Sequence, residues 1–233
     1  MARLTIFMFF GIVFLTGLIH AQKIQDHYVS FNPEPRRESG VRVVFYNVEN
    51  LFDFKKDTLT KDYEFLPEGL YAWTPGKFFN KLQSISNVIL STGGWEPPEI
   101  IGLAEVENQS VMHLLATSYP LAPFGYKVVH YESPDVRGID VALMFRPDKF
   151  MLLYSEPLAV KIAEEPLFTT RDILYVKGIV LNKDTLHLFV NHWHSKLGGE
   201  KISTPHRRAA AQRLKRATDS LLTVNPAAHI LVM

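Results

Sequence analysis

The 233 residues are 47% hydrophobic and 21% charged, an ordinary globular composition with length for one large core or two small ones. Lys and Arg number 25 against 24 Asp and Glu, which excludes a broad electrostatic footprint for nucleic acid, so a polyanion must be met at a local site. The lack of cysteine excludes disulfides, thiolate metal centres, cysteine nucleophiles and a cysteine lipid anchor, leaving nitrogen and oxygen ligands for any metal.

The first 21 residues read as a signal peptide. Arg3 supplies the positive charge, residues 4–19 form an uncharged and mostly apolar run, and Ala21 suits cleavage before Gln22. As a helix that run spans roughly 24 Å, short of a hydrocarbon core of about 30 Å. A secreted or periplasmic protein with no stable membrane anchor after cleavage is expected, and an uncleaved anchor is the alternative. Residues 22–40, with Pro33, Pro35, Arg36 and Arg37, read as a polar tether before a domain over 41–233.

Residues 41–46 form a β-rich apolar run that predicts a buried strand. Thr74-Pro75 signals a helix start, apolar residues recur at helical spacing from Phe78 to Leu90, and Gly93-Gly94 marks the stop. Residues 100–104 predict a second buried strand, and 111–116 a short helix capped by Asn108 or Ser110. Strands follow at 126–130, 141–145, 151–154, 173–181 and 186–191, the last two joined as a hairpin through Asn182-Lys183-Asp184. Residues 205–222 predict an amphipathic helix with Ala209, Ala210, Leu214, Ala217, Leu221 and Leu222 inward, and 230–233 begin another strand. Hairpins mixed with helical crossovers predict a layered α/β sandwich with two mixed β-sheets face to face and helices outside, incomplete at the C-terminus.

Several apolar strands run straight into polar clusters: Asn47-Val48-Glu49-Asn50, Glu105-Val106-Glu107-Asn108, and Asn191-His192-Trp193-His194-Ser195-Lys196. Ligands of α/β sheets gather at the carboxyl ends of strands, so these clusters can converge on one cleft. The chemistry they suit is phosphoester hydrolysis, in which a cation and fixed donors stabilise charge on phosphoryl oxygens. Glu105 can hold Mg²⁺, which takes oxygen ligands and often only one or two carboxylates. Asn47 offers an acceptor and a donor, while His192 and Arg171 can donate to phosphate.

Plainer readings stand beside these. Asn47 can cap a turn, Glu105 can be a solvated strand-end acid, and Arg171 can pair with a surface carboxylate. Glu49 and Glu107 read as supporting rather than catalytic, and His194 as ordinary surface. Lys196, Lys201, Arg207 and Arg208 form either a solvated loop and helix start or a local phosphate patch. Positive charge near a helix N-terminus opposes the dipole, which favours an anionic partner there. The aromatics Tyr63, Phe65, Tyr71, Trp73 and Trp95 read as packing rather than base-stacking platforms.

Five segments in order carry a specific resemblance. Phe45-Tyr46-Asn47-Val48-Glu49-Asn50-Leu51-Phe52-Asp53 resembles the first motif of the endonuclease/exonuclease/phosphatase superfamily, and Gly102-Leu103-Ala104-Glu105-Val106-Glu107-Asn108 its second. Arg137 to Pro147 resembles the strand that follows, Thr170-Arg171-Asp172 the segment of a phosphate-facing arginine, and Val190-Asn191-His192-Trp193 with Ser195-Lys196 the histidine motif. The resemblance implies a metal-dependent hydrolase of phosphodiester bonds using Mg²⁺ or Mn²⁺, with Glu105 and Asn47 at the metal. It makes Asn47, Glu105, Arg171 and His192 catalytic, and it places Arg137, Asn191, Lys196 and Arg208 at the substrate. Arg137 stands where deoxyribonucleases tend to have tyrosine.

The expected substrate is a phosphoester, foremost extracellular nucleic acid. Small phosphorylated molecules or phospholipid headgroups are the alternative. The family's Gly-Asp-Phe/Leu-Asn motif and its later aspartate–histidine pair do not occur in this sequence. A truncated chain is therefore expected, with a non-catalytic binding fragment as the remaining alternative.

Overall fold

The structure is a computed structural model that describes residues 40–233 apart from 59, 95, 163–164 and 197–198. The expected signal segment, the tether up to residue 39 and Trp95 lie outside the described residues.

Apolar runs become two four-stranded sheets. The first holds β1 (Val43–Leu51), β2 (Ile100–Val106), β3 (Lys127–His130) and β4 (Asp140–Phe145) in the order β1-β2-β4-β3. β1 and β2 are parallel, and the other pairs are antiparallel. The second holds β5 (Phe150–Leu158), β6 (Ile173–Val180), β7 (Thr185–Val190) and β8 (His229–Val232) in chain order. Only β7 and β8 are parallel there. Both sheets are mixed, as the blend of hairpins and crossovers predicts.

The inner faces meet. Ile100, Ala104, Leu143 and Phe145 of the first sheet pack on Phe150, Leu174, Val176, Leu188 and Val190 of the second. Helices α1 (Pro75–Gly93) and α2 (Gln109–Thr117) cover the outside of the first sheet through Phe78, Leu82, Ile85, Val111 and Leu115. Helix α3 (Glu200–Val224) covers the second, with Ala210, Leu214 and Leu221 on Tyr175 and Phe189. Each such apolar side chain contributes about 1.5–3 kcal/mol on full burial, so the layers are fixed by the alternation of apolar faces. Among the described residues no helix is long and apolar enough to cross a membrane.

The caps follow their chemistry. Thr74 accepts from the Lys77 N–H with Pro75 at the first helical position, and Asn108 accepts from the Val111 N–H at 2.9 Å. In the β6–β7 turn, Lys183 N–H donates to Val180 O at 2.8 Å and Asp184 N–H to Asn182 Oδ1 at 3.1 Å.

Helix α3 departs from expectation. It starts at Glu200 rather than at Pro205, which lies inside it. Gly199, at φ 98°, opens the helix in a conformation that a side chain would strain, and Ser203 Oγ donates back to Gly199 O at 3.0 Å. Pro205 removes one N–H from an early turn, a cost that the long apolar stripe overrides. Arg207 and Arg208 therefore sit two turns into the helix, and the dipole argument for an anionic partner lapses for them, while Lys201 stands in the first turn. Leu222 also faces outward, 41% exposed.

Candidate active site

Glu105 belongs to β2 but to neither of its ladders. Asn47 pairs with Ala104 and Leu51 with Val106, while on the other side Ala104 pairs with Val141 and Val106 with Asp140. Against β4 Glu105 is the extra residue, with φ 65°, while on the β1 side it faces the unpaired Val48, Glu49 and Asn50. A left-handed glutamate in a strand costs on the order of 1–3 kcal/mol, and such bulges re-aim a side chain at a rim. Glu49 and Asn50, at φ 55° and 61°, bend β1 beside it.

Side chains from β1, from the end of β2 and from the segment just after β7 meet at one carboxylate oxygen. Asn47 Nδ2 donates to Glu105 Oε1 at 3.1 Å, and His192 Nε2 lies 3.5 Å from the same oxygen. Asn47 Oδ1 accepts from the Glu49 N–H at 2.8 Å, so the amide buttresses Glu105 while its carbonyl holds the turn. Burial, followed by the positive charge of Arg171, holds the His192 imidazole below the usual histidine range, against the pull of Glu105. Among the described residues, the buried His192 Nδ1 has no hydrogen-bond partner.

Arg171 lies beneath this point, 7% exposed. Its Nε donates to His192 O at 2.9 Å, one terminal nitrogen to Trp193 O at 3.3 Å and the other to Asp135 Oδ2 at 2.9 Å. The guanidinium thus ties the histidine segment to the loop between β3 and β4. Arg137 of that loop donates to Asn50 Oδ1 at 2.7 Å. These contacts bind the segments around Asn47, Glu105 and His192 into one network.

Sequence reading missed Asp135 and Lys81. Lys81 on α1 donates to Asn50 O at 3.2 Å and to Glu49 O, holding the strained turn, and stands 5.6 Å from the Trp73 ring centre. Burial pulls its pKa down, while Glu49 and Glu105 oppose that shift. The available signal was a lysine one position before the buried Leu82. Glu107 is 4% exposed and accepts from the Asp53 N–H at 2.6 Å. Burial foremost pushes its carboxyl to about 8, so Glu107 is protonated near neutrality.

Other expected substrate residues sit elsewhere or are engaged. Asn191 Nδ2 donates to Phe189 O and Met233 O, both at 3.1 Å, and its Oδ1 accepts from Trp193 Nε1 at 3.0 Å. Lys196 is exposed on the loop before α3. Arg208 lines a groove of about 850 Å³ with Lys161, Lys201 and Arg216, and none of Asn47, Glu105 or His192 lines it. His194 packs edge-on against the His206 ring. Phe65 packs against Phe52, Tyr71 and Trp73, whereas Tyr63 is 55% exposed beneath Lys56 and departs from the packing expectation.

For a metal, Glu105 offers a partly buried carboxylate at the meeting point, a donor set that fits an oxygen-loving divalent cation with few protein ligands. A separate group of His130, Glu132 and Asp140 brings one ligand atom from each within 4.8 Å of the others.

The family model described as Endonuclease/Exonuclease/phosphatase family matches residues 42–233, and the chain belongs to that family. Solved structures share the fold at low identity. The human nocturnin catalytic domain, solved with a bound sulfate anion, aligns with a TM-score of 0.53 at 16% identity, covering 82% of this chain and 62% of that one. The endonuclease/exonuclease/phosphatase from Bacteroides vulgatus aligns with a TM-score of 0.51 at 16% identity, covering 78% and 61%. A functionally unknown conserved protein from Enterococcus faecalis V583 aligns with a TM-score of 0.51 at 12% identity, covering 83% and 65%. This chain therefore spans less than two thirds of each of those chains. No curated protein matches the sequence.

Proposed function

We propose that the protein carrying this chain is a divalent-metal-dependent hydrolase of phosphodiester bonds, exported and acting on extracellular nucleic acid. The observation that carries the reading is the meeting of Asn47 and His192, from β1 and the end of β7, on one oxygen of the bulged Glu105. Family membership over residues 42–233 supports the reaction class.

Glu105 would hold Mg²⁺ or Mn²⁺, which supplies Lewis-acid stabilisation of phosphoryl oxygen charge. Asn47 orients the Glu105 carboxylate through Nδ2. The His192 imidazole, kept largely neutral by burial and by Arg171, presents an N–H or a lone pair rather than a second full charge. Arg171 acts from below by fixing the backbone at His192 and Trp193, and its charge still adds positive potential at the phosphate.

A second reading, hydrolysis of a small phosphorylated molecule, is favoured because Arg208 and its basic neighbours line a groove that none of Asn47, Glu105 or His192 lines. A substrate panel at increasing salt distinguishes them. A polyanionic substrate loses turnover steeply between 50 and 200 mM salt, on the scale of about 10³ in affinity for six phosphate contacts, and a small ester does not. Export is tested by N-terminal sequencing of protein recovered outside the cytoplasm. A start at Gln22 supports it, and an intact Met1 rejects cleavage.

A further inference from the structure

The loop between β3 and β4 carries Asp135, which pairs with Arg171, and Arg137, which reaches Asn50. Its two ends converge. His130 closes β3, Asp140 opens β4, and Glu132 lies two residues past His130. The His130 side chain is 1% exposed and that of Asp140 3%. Asp140 Oδ1 accepts from both the backbone N–H and the hydroxyl of Ser133. Its Oδ2 stands 3.3 Å from His130 Nε2. Among the described residues that nitrogen nevertheless has no hydrogen-bond partner, although it is fully buried. Glu132 Oε1 is 3.8 Å from the same imidazole, at Nδ1.

A buried imidazole nitrogen within reach of a carboxylate oxygen, yet misaligned for a hydrogen bond, is what two ligands of one ion look like. Ligands about 2.0–2.2 Å from a shared metal lie roughly 3.0–3.5 Å apart at right or tetrahedral angles. One imidazole with two carboxylates suits a borderline ion such as Zn²⁺, whereas Mg²⁺ and Ca²⁺ favour all-oxygen shells. The hydrogen bonds from Ser133 to Asp140 Oδ1 are the kind of outer support that orients a ligating carboxylate.

We propose that His130, Glu132 and Asp140 form a second metal site, distinct from Glu105, that takes Zn²⁺ and pins the β3–β4 loop. The ion clamps both ends of the loop and so fixes Asp135, which positions Arg171 beneath His192. It stands whether or not Glu105 binds a cation.

The test is a Zn²⁺ titration of the metal-stripped protein against a competing fluorescent chelator, with thermal melting in parallel. Wild type and Glu105→Gln should each bind one tight equivalent and melt higher with Zn²⁺. Glu132→Gln alters an exposed side chain and folds; its affinity should fall at least about 10-fold. His130→Gln should lose both the equivalent and the thermal gain, and His194→Gln should keep them. Zn²⁺ binding that is unchanged in Glu132→Gln, or lost in His194→Gln instead, overturns the site. So does a wild-type protein with no tight equivalent.

Discussion

Asn47 Nδ2 and Glu105 Oε1 are joined by a 3.1 Å hydrogen bond across the parallel pair β1 and β2, 58 residues apart in the chain. The bond exists because Asn47 is the last residue in register before the bulge, so the displaced glutamate falls beside its amide. Asn47→Ala leaves the carboxylate with one fewer donor to orient it. Turnover should fall roughly 10- to 100-fold with the melting temperature little changed. Steady-state kinetics beside a thermal melt check this.

Asp135→Asn removes the countercharge of a buried guanidinium while leaving its shape. An uncompensated buried charge costs about 3–5 kcal/mol, or roughly 6–20 °C in a domain of this size. Differential scanning calorimetry reads the shift. A change under 2 °C would mean that the pair is not load-carrying in the fold.

Burial keeps the His192 pKa below the ordinary 6.5 in the folded state, and His187 and His194 are shifted the same way. The folded protein then binds fewer protons than the unfolded chain. The stability these histidines contribute is complete above pH 6.5 and declines as pH falls through the folded values. In metal-free protein, denaturant titrations at pH 7.5 and 5 should differ less for His192→Gln than for wild type.

Glu107 gives the opposite slope. Its carboxyl rises from the ordinary 4.5 to about 8 on folding, so the folded state holds an extra proton between those values. The stability that Glu107 contributes is highest below 4.5 and is lost as pH climbs through 8. Glu107→Gln mimics the protonated acid. In metal-free protein it should match wild type at acid pH and exceed it at pH 8.5, by denaturant titration.

Much of the site was legible because its motifs are local. Asn47, Glu105 and His192 each follow an apolar run, and runs of that kind end at a sheet rim. What closes the site was not legible. The left-handed φ of Glu105 arises from the mismatch of two ladders that meet only after folding. Asp135 looks like a loop acid until the hairpin brings it to Arg171, 36 positions away. Arg171 itself reads as a phosphate ligand, but its nitrogens hold Asp135 and the backbone of His192 and Trp193. The α3 start was misplaced because a proline inside a helix mimics a first-turn proline, and the opening glycine carries a weaker signal.

The most direct measurement is hydrolysis of bis(p-nitrophenyl) phosphate by the protein carrying this chain, stripped of metal and then supplied with Mg²⁺ or Mn²⁺. Turnover should vanish on stripping and return with the ion. It should fall by roughly 10²–10³ in both Glu105→Ala and His192→Ala, as for loss of a group that stabilises transition-state charge. Undiminished, metal-restored turnover in Glu105→Ala would contradict the account, because the cation would then be held somewhere other than at the oxygen shared with Asn47 and His192.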